Sequence, residues 1–97
     1  MMTKDMKTLI KFAKQLSELY SDIFECEIVV NVCESPVEYY IQGKGTVQYL
    51  CSVCVDGDEY GGSYQITTPF IMDVKQIINE FVHEVCCEYF YVDKIKL

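Results

Sequence analysis

TPFIMDVKQIINEFVHEVCCEY, residues 68–89, is the stretch whose reading decides the fold. Thr68 can cap a helix, and Pro69 suits the first helical position, where a missing N–H has no consequence. Phe70, Ile71, Val74, Ile77, Ile78, Phe81, Val82 and Val85 then recur at helical spacing and make one broad apolar face. Asp73, Gln76, Glu80, His83, Glu84 and Cys87 form the opposite, mostly acidic side. Glu88 would turn onto the apolar face if the helix continued, so the spacing predicts fraying near Cys87. Residues Glu88 to Val92 alternate aromatics and fit either a short closing strand or a last helical turn.

Working back from this helix, the preceding residues alternate as strands do. Cys26, Ile28, Val30 and Val32 share one side of a first strand over Glu25–Glu34, with Glu25, Glu27, Val29 and Asn31 on the other. Ser35-Pro36 is expected to break it. A short second strand follows over Val37–Gln42, and Gly43-Lys44-Gly45 reads as a turn. Thr46 to Val55 is the longest strand, with Val47, Tyr49, Cys51, Val53 and Val55 on one side. Asp56-Gly57-Asp58 is a hairpin signal, and Ser63 to Thr67 returns as a fourth strand after a Gly61-Gly62 bulge. At the front of the chain, Met6, Leu9, Ala13, Leu16, Tyr20 and Ile23 mark a first helix from Thr3 to about Phe24. The expectation is an α+β fold in two layers: N-terminal helix, four-stranded antiparallel meander, long C-terminal helix and an optional final strand. Ninety-seven residues make one domain, 1–97.

Charge narrows the partners. The chain carries a net −7, and all eight basic residues are lysine. Arginine's planar fork is the preferred grip on phosphate and guanine, so an acidic chain without arginine is a poor binder of nucleic acid. Its surface suits a basic partner instead, or serves solubility without any partner. Lys4, Lys7, Lys11 and Lys14 line the outer side of the first helix, while Glu18 to Asp93 holds fourteen acids against Lys44 and Lys75. Such a dipole steers a charged partner and also admits a homodimer. The N-terminus lacks the apolar run of a signal peptide, and no eighteen-residue apolar stretch spans a membrane. The expected location is the cytoplasm, with the six cysteines reduced.

Motifs for chemistry fail on spacing. Cys51-Ser-Val-Cys54 has the interval of a zinc knuckle or redox pair, but on an alternating strand residues three apart point to opposite faces. His83 and Cys87 share a helix side at i, i+4, yet only Glu80 and Glu84 stand near to complete a metal site, and a Cys–His nucleophile there has no oxyanion device. Asp56-Gly-Asp58-Glu-Tyr60-Gly61 opens like a calcium loop, but Tyr60 and Thr67 occupy positions that need carboxylate or amide oxygens. Gly43-Lys-Gly45 lacks the length of a phosphate loop. The reading is therefore of no enzyme, no metal and no cofactor.

Surface remains. Asp56, Asp58, Glu59 and Tyr60 at the hairpin tip, and the helical row Asp73, Glu80 and Glu84, are the candidate partner contacts; Glu38, Tyr40 and Tyr64 are assigned to the open side of the sheet. Tyrosine offers contact area at low entropic cost, and carboxylates steer a basic partner. In size, acidity, cysteine-bearing strands, all-lysine basicity and lack of enzyme motifs, the chain resembles the small proteins that phages and mobile elements encode against host defence, such as anti-CRISPR proteins. The resemblance is one of general character and carries over no residue role. It implies a stoichiometric inhibitor of a basic nucleic-acid-binding protein, by charge mimicry or by occlusion. The alternative is an oligomeric domain that sequesters a small, nucleotide-like ligand on its open sheet face.

Overall fold

A computed structural model describes the backbone of residues 4–41, 44–67 and 70–92, and the side chains of 4–34, 48–67 and 70–92. The elements run α1 (Lys4–Phe24), β1 (Ile28–Ile41), β2 (Lys44–Val55), β3 (Asp58–Ile66) and α2 (Ile71–Tyr89). The strands form one antiparallel sheet in the order β1-β2-β3. Both helices pack into the same core as one face of that sheet. Met6, Leu9, Ala13, Leu16 and Tyr20 of α1 and Val74, Ile78, Val82, Val85 and Cys86 of α2 enclose Ile28, Val30, Tyr49, Cys51, Val53, Val55 and Ile66. Helical periodicity and strand alternation thus select most of this buried set; of the expected apolar faces, Phe70 is 63% exposed and Ile23, Cys26, Val32, Ile71, Ile77 and Phe81 are only partly buried.

Four stretches depart from expectation. Residues 28–41 form one strand rather than two, so the sheet has three strands among the described residues. The Ser35-Pro36 break is a bulge: the register jumps from Glu34↔Tyr49 to Glu38↔Val47. Proline has no N–H for the ladder, and a bulge is where a strand tolerates that. The first strand also starts later than Glu25, because Glu25 adopts φ 53 to end α1.

At the other end, α2 begins at Ile71. Phe70 stays extended (φ −105, ψ 116) and its carbonyl accepts from the N–H groups of Asp73 and Val74, both at 3.1 Å. The predicted cap, Thr68 with Pro69, lies outside the described residues. The helix then runs through Glu88 to Tyr89, and Phe90 and Tyr91 turn away, so there is no closing strand up to Val92. Val85, Cys86 and Tyr89 hold the apolar side at this level and leave Glu88 exposed at its margin. Cys87, placed towards solvent by the helical wheel, is only 6% exposed, and after the helix the Val92 N–H donates to its carbonyl at 3.0 Å.

Two devices set the edges. On the β1 side, α1 lies against the strand and supplies hydroxyls one turn apart. The Val30 N–H donates to Ser17 Oγ at 2.8 Å and the Ile28 N–H to Ser21 Oγ at 2.9 Å. Ser17 Oγ in turn donates to the Ala13 carbonyl at 2.8 Å. Four residues of helix rise about 6 Å, close to the roughly 6.7 Å two-residue repeat of a strand, so i, i+4 serines meet alternate edge amides. On the β3 side, Asp56 (φ 50) and Gly57 (φ 89) make the two-residue turn that the hairpin signal predicts. Gly61 and Gly62 then form the predicted bulge between Val53↔Tyr60 and Cys51↔Tyr64. Gly61 sits at φ +81, and a Cβ there would come within 3.0 Å of Val85 Cγ2. Only glycine lets β3 approach α2 this closely.

Candidate functional site

The bulge at Gly61-Gly62 restores β3 to the sheet with Tyr64 opposite Cys51, on the helix-covered face. Tyr64 is therefore not on the open face where the sequence places it. Its ring lies 5.3 Å from that of Phe81, inclined at 35°, and it remains 48% exposed. Together Tyr64, Ile77 and Phe81 make an apolar wall where α2 meets the outermost strand. Glu80, His83 and Glu84 complete a cleft of about 280 Å³. The i, i+4 spacing sets the two carboxylates one helical turn apart on the same rim. Both are exposed, and Glu80 Oε1 accepts from Gln76 Nε2 at 3.3 Å. On the inner side His83 is half-buried, with its ring 6.3 Å from Tyr20.

Of the predicted contacts, Glu80 and Glu84 line this cleft; Asp73 is exposed earlier on the same helix and does not. The tip residues Asp56, Asp58 and Glu59 are exposed at the opposite end, where α2 finishes. Tyr60 is held there by an edge-on contact with Tyr89, ring centroids 5.2 Å apart. Asp56 is partly structural: its N–H donates to the Glu27 carbonyl at 2.9 Å, and its carboxylate accepts from the Glu27 N–H at 3.4 Å. The side chains of Glu38 and Tyr40 lie outside the described set. The cleft therefore joins two of the seven predicted contacts to three apolar residues. Tyr64 was assigned to the wrong face, and Ile77 and Phe81 were read as core. The signal for these two was their place at the edge of the helical apolar arc, beside Glu80 and Glu84.

No protein-family model, curated protein or solved structure matches this chain.

The cysteines do not converge on a reactive centre. All six are free thiols. Cys51 pairs with Val32 and Tyr64 on the core face, and Cys54 with Val29 and Glu59 on the other, so the CxxC pair is split across the sheet. Burial pushes the Cys51 and Cys86 thiols from the usual 9.0 to about 12, helped by Cys33 in one case and by Cys87 and Cys26 in the other. A thiol held protonated is a weak nucleophile. Among the described residues no three His, Cys, Asp or Glu side chains are grouped to hold a metal ion. No helix among them is long and apolar enough to cross a membrane. The Asp56-Gly57 turn passes directly into β3 at Asp58, so the calcium-like segment is hairpin and strand rather than an ion-binding loop.

What the cleft offers is two aromatic rings beside two carboxylates. Aromatic rings attract cations through their quadrupole, and exposed carboxylates pair with them.

Proposed function

We propose that this chain is a non-enzymatic binding protein that inhibits a basic, nucleic-acid-handling protein in the cytoplasm of a host cell. Its acidic surface competes there with nucleic acid, as expected of a small anti-defence protein. The observation that carries the reading is the cleft beside α2, where Glu80 and Glu84 flank Tyr64 and Phe81. Carboxylates alone would serve solubility; carboxylates bordering exposed aromatic surface provide both steering and contact area. The net charge of −7 disfavours direct contact with nucleic acid and favours a partner of opposite sign.

The test is a tagged pull-down from nuclease-treated bacterial lysate at about 50 and 300 mM salt, where the Debye length falls from roughly 14 to 6 Å. Native protein, a Glu80→Lys/Glu84→Lys variant and an Asp58→Lys/Glu59→Lys variant are compared. The proposal expects one basic nucleic-acid-binding protein retained by the native chain, weakened by salt and lost on reversal in the cleft. Reversal at the tip reports whether Asp58 and Glu59 share the contact. Retention of the same proteins by both variants would refute the reading.

A further inference from the structure

The charge of the cleft says that its occupant is basic; its shape says more. Tyr64 and Phe81 present adjacent rings, 5.3 Å apart and inclined at 35°, and Ile77 extends the apolar wall. The two carboxylates and Tyr64 are exposed, while Phe81 and Ile77 beside them are half-buried, so the charged groups lie on the solvent side of the inner wall. A group that fills the site must lie flat on a ring, bring an apolar stem along Ile77, and place N–H donors at the rim.

We infer that the cleft is a socket for a single arginine side chain of the partner, stacked on Tyr64 and Phe81 with its guanidinium paired to Glu80 and Glu84. The inference rests on the reading above and narrows it from a basic surface to one anchoring residue. Guanidinium is planar, weakly hydrated and able to stack on an aromatic face while its edge donates to carboxylates. Ammonium is compact and strongly hydrated, so lysine satisfies the carboxylates without using the rings. The chain has no arginine of its own, so a second copy cannot supply the group. Buried aromatic and arginine anchors commonly dominate interfaces that are otherwise nearly neutral in energy.

The experiment uses the full chain and three heptapeptides titrated by NMR at fixed salt. One carries arginine between two lysines, the second has lysine at the central position, and the third has citrulline, which keeps the shape and loses the charge. The arginine peptide is expected to bind about five- to tenfold tighter than the all-lysine peptide and tighter still than the citrulline peptide, with the largest shifts on the Tyr64 and Phe81 ring protons. Tyr64→Ser, at a half-exposed position, should abolish the arginine preference while leaving lysine binding nearly unchanged; Tyr64→Phe should restore it. Equal binding of the arginine and lysine peptides, weakened together by Glu80→Gln, would overturn the socket and leave the charge-based reading intact. No binding of any peptide would overturn both. An arginine preference that survives Tyr64→Ser with native-like spectra would also overturn the socket.

Discussion

Replacing Ser17 with alanine tests how the first helix holds the sheet. Ser17 Oγ accepts the Val30 N–H and donates to the Ala13 carbonyl, both at 2.8 Å. Val30 is 5% exposed, so its amide has little access to water once the hydroxyl is gone. An unsatisfied buried donor costs about 1–3 kcal/mol. Alanine favours a helix over serine by about 0.5 kcal/mol, which offsets part of that. The expected net loss is about 0.5–2.5 kcal/mol. With a urea m-value of about 1–1.5 kcal/mol/M for a small domain, the midpoint should fall by about 1 M. Urea unfolding followed by circular dichroism measures it, and faster hydrogen exchange at the Val30 amide should accompany it. Gln15→Ala is the control: Gln15 is exposed on the same helix, so the change should move the midpoint little. A Ser17→Ala midpoint equal to or above that of the native protein would refute the edge-clamp argument, because only the gain in helix propensity would then remain.

Two further predictions concern buried titratable groups. The Tyr20 side chain is fully buried, and its hydroxyl has no hydrogen-bond partner among the described residues. Tyr20→Phe removes an unmatched polar group without leaving a large cavity, so thermal unfolding should show equal or higher stability; a loss above about 1 kcal/mol would mean that the hydroxyl is satisfied in solution. Burial raises Tyr20 from 10.0 to about 12, with Cys86 and Cys87 adding to it, and raises Cys51 and Cys86 from 9.0 to about 12. The folded state holds these protons more tightly than the unfolded chain. The stabilisation is therefore complete below pH 9 and declines as pH rises towards 12, with a slope approaching about 1.4 kcal/mol per pH unit for each group. Melting temperatures should be level near pH 8 and fall steadily above 9; a flat profile to pH 10.5 would count against the burial of these thiols.

Periodicity made much of this fold legible. The i, i+3, i+4 spacing of Met6, Leu9, Ala13, Leu16 and Tyr20 identifies the buried side of α1, and alternation from Val47 to Val55 identifies the core face of β2 at every position described. Asp56-Gly57 and Gly61-Gly62 are legible because positive φ is a local demand that glycine meets. Ser35-Pro36 misled, since the same dipeptide chemistry serves a chain break and a bulge, and pairing with β2 decides between them. Cys87 misled because a helical wheel weighs only spacing along its own helix, while the 6% exposure is set by tertiary packing. Two of the six residues that line the cleft were legible as contacts: Glu80 and Glu84 follow from helix spacing. Tyr64 was missed although plain alternation reaches it: the insertion at Gly61-Gly62 keeps strand parity, so Tyr60, Tyr64 and buried Ile66 all pair with core-face residues of β2.

The seam between the helices has a consequence for the order of folding. α1 and α2 are the first and last elements, and they meet through stacked Phe24 and Phe90 at 4.5 Å, through Tyr20 beside His83, and through Lys75 Nζ, 5.1 Å from the centre of the Phe12 ring. The two hairpin pairings and the packing of α1 on β1 each join neighbours along the chain and close short loops. The seam closes almost the whole chain at once, which carries the largest loop entropy in the molecule. Nucleation can therefore proceed from the N-terminus during synthesis, with Met6 to Tyr20 settling on the emerging β1–β2 hairpin. Until α2 leaves the ribosome, Val53, Val55 and Ile66 lack Val74, Ile78, Val82 and Val85 from their core, so this helix converts a partly open sheet into a closed one.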